Sequence, residues 1–207
     1  MSPTPTRRFL LAALAAVSMA AVTSGASADI QTGTPAPEFV GIDSNGKKHD
    51  LAAYRGKTVI LEWTNHECPY TVKHYVTGNM QALQKAAVAE GVVWLTIVSS
   101  KPGSQGYVND IEANKLTDDR KAAPTAVLLD PKGEIGRKYA ARTTPHMYII
   151  DKDGKLVYMG AIDDQPGASH ASVKNARNYV RETLAAMAAG KPIITASTRP
   201  YGCSVKY

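Results

Sequence analysis

The stretch Thr58 to Tyr75, TVILEWTNHECPYTVKHY, confines this chain more tightly than any other. Thr58 to Trp63 is short, almost continuously apolar and rich in β-branched and aromatic side chains, the pattern of a strand buried on both faces. A polar loop, Asn65-His66-Glu67, follows, and then Cys68 meets Pro69. Proline suits the first turn of a helix, where its missing N–H loses no bond and its φ is already helical. Cys68 is therefore expected at the N-cap, its sulfur over free backbone N–H groups and the positive end of the helix dipole. A helix N-terminus lowers a thiol's pKa and favours the reactive thiolate. Two readings stand: a redox or nucleophilic cysteine, and a small apolar side chain filling the start of a core helix. The polarity of the loop favours the first.

The first 28 residues are set apart from the fold. Arg7 and Arg8 form a basic start, Phe9 to Val22 an apolar run, and Ala26-Ser27-Ala28 a small-residue cleavage site, which together read as a secretory signal. The run is too short for a comfortable transmembrane helix, so no membrane span is expected after cleavage. Phe9 follows the arginines directly, where a twin-arginine signal has an intervening residue, so Sec-type export to the bacterial periplasm or another extracytoplasmic space is expected. Removing 28 of 207 residues leaves 179, enough for one domain with a substantial core. The formal net charge of +6 falls to +4 without Arg7 and Arg8, and the remaining basic residues are scattered, which argues against a nucleic-acid surface. Both cysteines, Cys68 and Cys203, lie in the exported part, where a disulfide is permitted.

Residues 29–54 read as an extended lead-in with a turn at Ser44-Asn45-Gly46. After Cys68, Val72, Val76, Met80, Leu83 and Ala87 recur at helical spacing, which predicts one helix ending at Gly91, with Gly78 in its middle costing about 1 kcal/mol. Val92 to Val98 is a second buried strand, Tyr107 to Leu116 a short helix, Ala126 to Leu129 a third strand and Pro131 to Ala140 another helix. Met147 to Ile150 and Leu156 to Ile162 flank an Asp-Gly turn and read as a hairpin. Ser169 to Ala189 is expected as the last helix, closed by Gly190. The order predicts an α/β fold, a central mixed β-sheet flanked by helices over residues 29–190, followed by a mobile or surface-lying tail at 191–207 that carries Cys203.

That order, with a cysteine at the first strand-to-helix turn, resembles the thioredoxin-like fold. Ala36-Pro37-Glu38-Phe39, Tyr54-Arg55-Gly56-Lys57, the Asn65-His66-Glu67-Cys68-Pro69-Tyr70 loop, Thr144-Pro145 and the ending Gly202-Cys203-Ser204-Val205-Lys206-Tyr207 resemble the redoxins, the group of alkyl hydroperoxide reductase and thiol-specific antioxidant proteins, and within it a peroxiredoxin-like branch. The resemblance implies that Cys68 is the active thiol of an oxidoreductase, that Thr144 and Pro145 stand beside it with Pro145 cis, and that Cys203 is its resolving partner. A free or intermolecular Cys203 is the competing reading. Glu62, six residues before Cys68, stands where thioredoxins carry a buried acid. It is either a desolvated proton shuttle or a salt-bridged glutamate at a strand end. His66 is either a general base or a polar loop residue, the latter favoured.

Small thiols, protein dithiols or disulfides, and peroxides are the expected partners, and no cofactor is expected. Thr71 occupies the place of a thioredoxin's second cysteine, so a local dithiol cannot form. Leu61 and Asn65 stand where peroxiredoxins have proline and threonine, and Pro145 where they have an arginine, which weighs against efficient peroxide activation. A reading of another class is a copper or other metal site made by Cys68, His66 and His146.

Overall fold

The computed structural model describes residues 30–207 and Met1. The rest of the expected signal segment lies outside the described residues. Among the described residues, no helix is long and apolar enough to cross a membrane.

Seven strands form the central sheet: β1 (Val40–Asp43), β2 (Lys48–Asp50), β3 (Val59–Trp63), β4 (Val93–Val98), β5 (Ala126–Leu129), β7 (His146–Ile150) and β8 (Leu156–Gly160), in the spatial order β2-β1-β5-β4-β3-β7-β8. β3, β4 and β5 run parallel, while β1 and β7 pair antiparallel to β5 and β3. β3 is therefore hydrogen-bonded on both sides, with Glu62 level with Thr96 and Met147. Both faces are covered, which explains why the central strands read as unbroken apolar runs and not as alternation. Val59, Leu61 and Trp63 enter one core cluster with Leu95, Ile97, Tyr139 and Tyr148. Ile60 enters another with Trp94, Met147, Met80 and Leu83. The mixed sheet flanked by helices and the hairpin of β7 and β8 are as the sequence predicts.

Three local expectations are corrected. The helix after Cys68 is two helices, α1 (Pro69–Val76) and α2 (Asn79–Ala89). Gly78 does not sit mid-helix but at φ +74, a left-handed conformation that ends one helix and N-caps the next. The lead-in is a hairpin of β1 and β2 whose pairing begins at Val40↔Asp50. The stretch 169–189 is a 3₁₀ turn, His170–Asn175, and then α5 (Tyr179–Ala188), capped by the Asn178 side chain accepting from the Arg181 N–H. The remaining helices, α3 (Asp110–Asp119) and α4 (Glu134–Lys138), fall inside or near the predicted spans.

The tail is not loose. It lies along the edge of β8, where the Met159 N–H donates to Ala196 O and the Thr198 N–H to Met159 O, both at 3.1 Å. It then crosses to a second, two-stranded sheet formed by β6 (Thr143–Thr144) and β9 (Cys203–Ser204), with Thr144 opposite Cys203. We call residues 191–207 the strap.

Candidate active site

Cys68 has φ −76 and ψ 120, the extended conformation of an N-cap, and Pro69 opens α1 behind it. The loop that delivers it is tied down. Asn65 Oδ1 accepts from the Glu67 N–H at 2.9 Å, and Glu67 Oε2 accepts from the Gly106 N–H at 2.6 Å. The Thr144–Pro145 bond is cis, and Thr144 and Pro145 are buried. The Cys68 S–H donates to Thr144 O at 3.0 Å. The Cys203 N–H donates to Cys68 Sγ at 3.3 Å, so the two cysteines, 135 positions apart in sequence, meet at one point of the fold. Both are present as free thiols.

The two sulfurs differ electrostatically. Burial pushes the Cys68 thiol up, but the Cys203 thiol and N–H, with the Thr71 N–H of the first turn, outweigh it and hold Cys68 below its ordinary value. Burial and the neighbouring Cys68 sulfur push Cys203 the other way, up to about 11. A donor on the acidic sulfur makes it the better thiolate and the better leaving group.

Glu62 is wholly buried and, among the described residues, is not salt-bridged. Its Oε1 accepts from Tyr75 OH at 2.8 Å, and its Oε2 from Trp94 Nε1 at 2.8 Å, Thr96 Oγ1 at 3.0 Å and Gln84 Nε2 at 3.1 Å. Desolvation raises its pKa and the four hydrogen bonds oppose without cancelling it. Of its partners, Tyr75 and Thr96 also line a cavity shared with Thr64, His66 and Arg120. His66 is half-buried there, and its ring is not hydrogen-bonded to Cys68. Burial and Arg120 lower its pKa. His146 begins β7, opposite Trp63, and its Nδ1 lies 3.0 Å from Tyr148 OH and 3.4 Å from the Arg142 N–H. Among the described residues, no three His, Cys, Asp or Glu side chains converge as a metal-ligand group, so the structure does not bring Cys68, His66 and His146 together. Thr71, in the place of a second cysteine, has a buried hydroxyl with no hydrogen-bond partner among the described residues.

A set of residues that sequence reasoning missed holds the strap in place. Tyr201 OH donates to Asp163 and lies 3.1 Å from His74 Nε2. The Tyr201 ring packs 6.0 Å from that of Tyr70, with Lys73 Nζ 4.8 Å above it. Lys73 donates onward to Gln165 O at 2.5 Å and Gly167 O at 2.7 Å. Lys73 and His74 are adjacent in α1, the helix that Cys68 caps, so one helix fixes both the thiol and the residue two before its partner. Beyond Cys203, the Val205 N–H donates to Arg142 O at 3.0 Å and Tyr207 OH to Ala141 O at 2.7 Å. The only hint in the sequence was an aromatic on either side of Gly202-Cys203-Ser204.

Comparison with known proteins places the fold in a family. The family model described as Redoxin matches residues 31–179. The chain is a member of the Redoxin family. A thiol-disulfide oxidoreductase ResA of Geobacillus thermodenitrificans is 26% identical to this redoxin over 134 residues, 61% of this chain and 67% of the relative. The ResA of Bacillus subtilis is 26% identical over 135 residues, covering 62% and 66%. Among solved structures, an uncharacterized conserved protein of Geobacillus kaustophilus superposes with a TM-score of 0.71 at 23% identity, covering 86% of this chain and 92% of that one. A putative thiol:disulfide interchange protein DsbE of Chlorobium tepidum superposes at 0.51 and 24% identity, covering 63% and 84%. At these identities the structural likenesses establish the thioredoxin-like fold. The family match ends before the strap, so the pairing of Thr144 with Cys203 is known from this redoxin's own geometry.

Proposed function

We propose that this redoxin is an exported thiol-disulfide oxidoreductase that cycles between a Cys68/Cys203 dithiol and an intramolecular disulfide, with protein dithiols or disulfides and small thiols as its substrates. One observation carries the reading: β9 pairs with β6 in a register that places the Cys203 N–H on Cys68 Sγ. The ResA relatives support the reaction class, and the basic, apolar and small-residue pattern of residues 1–28 supports export. Cys68 is the acidic sulfur, Cys203 its partner, Thr144 and Pro145 the backbone that frames them. Glu62 is a buried acid whose raised pKa suits it to move a proton. His66 is a loop residue that lines the cavity beside Tyr75 and Thr96.

Peroxide reduction draws less support, although the family resemblance suggests it. Cys68 is wholly buried, and Leu61, Asn65 and Pro145 stand where peroxide-activating residues would be. Non-reducing peptide mapping of the mildly oxidised monomer tests the proposal. A cross-linked Cys68–Cys203 peptide and loss of catalytic turnover of dithiols and disulfides in Cys68→Ser are expected. Two free thiols, or only disulfide-linked dimers that vanish on dilution before oxidation, would overturn it.

A further inference from the structure

The two sulfurs are unequally reachable. Cys68 retains 0% of its surface, because α1, Thr144 and the strap enclose it. Cys203, on the strap itself, is only half-buried, and Ser204 beside it is exposed. The strap is anchored on both sides of Cys203, by Tyr201 on Asp163 and by Tyr207 on Ala141. An incoming sulfur on a folded partner therefore meets Cys203 first and cannot approach Cys68 while those anchors hold.

We propose that exchange with a partner takes place at Cys203, and that Cys68 acts from beneath it as leaving group and resolving thiolate. The proposal rests on the Cys68–Cys203 couple argued above and says which of its sulfurs is attacked. For a partner dithiol the steps balance as follows. One partner thiolate attacks Cys203 Sγ. The Cys68–Cys203 bond breaks, and its electron pair leaves on Cys68 Sγ. The second partner thiol, having lost its proton to solvent, attacks the partner sulfur now bonded to Cys203. The partner's disulfide forms, and Cys203 departs and takes up a proton. Two electrons pass from the partner dithiol to this redoxin. Run backwards, Cys203 opens a partner disulfide and Cys68 resolves the mixed disulfide.

Two properties beyond access favour this order. Attack at Cys203 expels Cys68, and attack at Cys68 would expel Cys203. The sulfur of lower pKa leaves faster, and the Cys203 and Thr71 N–H groups that favour the Cys68 thiolate are backbone donors, still present when Cys203 carries the partner. The Cys203 N–H that receives the departing charge belongs to the residue under attack, so the donor is already in place at 3.3 Å.

The test uses the full chain and two probes, reduced glutathione and a synthetic peptide bearing one cysteine. Protein whose Cys68–Cys203 disulfide has been verified by mapping is mixed with either probe. It is quenched in acid during the first turnover, and the probe is located by peptide mass. The probe is expected on Cys203 in excess over Cys68 by about tenfold or more, the direction set by leaving-group pKa and access. In Cys68→Ser, which lacks the resolving sulfur, Cys203 should accumulate a stable mixed disulfide with glutathione disulfide. In Cys203→Ser, Cys68 should form one more slowly. Probe found chiefly on Cys68 of the verified disulfide would overturn the proposal and leave the oxidoreductase reading standing. Failure of the disulfide to form at all would overturn both.

Discussion

Replacing Gly202 by alanine should uncover Cys68. Gly202 sits at φ +138, and a Cβ added there would lie 2.1 Å from the Thr144 carbonyl oxygen and 2.7 Å from its carbon. Both are backbone atoms of β6, held by the pairing with β9, so neither can swing away as a flexible side chain would. Holding a non-glycine residue in such a conformation costs about 1–3 kcal/mol, and forcing an extra methyl into filled space costs roughly another 1–3 kcal/mol. Lifting Cys203–Ser204 off β6 relieves both. Even at about 2 kcal/mol the balance between docked and lifted strap moves roughly 30-fold toward the lifted form. Lifting also removes the Cys203 donors from Cys68 and so lessens its acidity, an opposing effect. The assay is therefore iodoacetamide labelling of the reduced protein at about pH 9, where an undocked thiol of pKa about 8.5 is already mostly ionised and access alone limits the rate. Labelling of Cys68, followed by peptide mass, should accelerate about 30-fold or more over the unmodified protein. Gly46→Ala is the control. It has φ +78 in the β1–β2 turn, but no atom within 4 Å of its built Cβ, so it carries backbone strain without touching the strap. An unchanged Cys68 rate in Gly202→Ala would refute the strap as the cover.

Cys203→Ala keeps the backbone N–H but removes the thiol that helps hold Cys68 acidic, so Cys68 should ionise at higher pH, read from thiolate absorbance at 240 nm. An unshifted titration would mean that the strap's thiol does not act on Cys68. Glu62→Gln can turn its oxygen toward Trp94 and its amide toward Tyr75, matching the protonated acid. Glu62's folded pKa is raised, so its contribution to stability is full below the ordinary value of 4.5 and is lost as pH rises through the folded value. The variant should therefore gain on the parent in urea unfolding as pH rises, and should slow thiol exchange if the acid moves the proton. An unchanged exchange rate would reduce Glu62 to a structural part. His74 and His146 are both depressed to about 3, first by burial and then by Lys73 and Arg142 respectively. The unfolded chain binds their protons from about pH 6.5 downward, so stability should be full above that value and be lost toward pH 3, by up to about 3 kcal/mol per pH unit for two protons. His74→Gln, which can still meet Asn79 and Tyr201, should reduce this slope. An unaltered slope would show that His74 is not held neutral.

What could be read from the chain alone was whatever rested on short-range pattern. The buried strands at β3, β4 and β5 announced themselves as apolar runs, and Cys68-Pro69 marked a helix start because proline and N-cap chemistry act within one turn. Gly78 looked tolerable inside a helix because periodicity continued across it. The left-handed φ that splits α1 from α2 belongs to the backbone and leaves no trace in the spacing. The buried state of Glu62 could not be separated from a salt bridge, since its donors come from α1, α2 and β4. The strap was hardest. Its strand pairing spans only two residues, too few to alternate, and its anchor Tyr201 is held by Asp163 and His74, far away in sequence. The residues alone left the partner of Cys203 open, and the register of β6 with β9 is what places it against Cys68.

The 135 positions between the two sulfurs give the couple a second meaning. A bond between them would close a loop that holds β4, β5, β7 and β8, four of the seven strands of the central sheet, and restricting an unfolded chain in that way is worth about 5 kcal/mol in the loop-entropy account. Whatever oxidation adds to the resistance of the domain against unfolding, folding must add equally to the persistence of the bond. The redox state of two sulfur atoms thus becomes a setting for the endurance of the entire molecule. A protein that passes this disulfide to a partner, as proposed, would also surrender part of its own protection against heat and proteases, and would regain it on reoxidation.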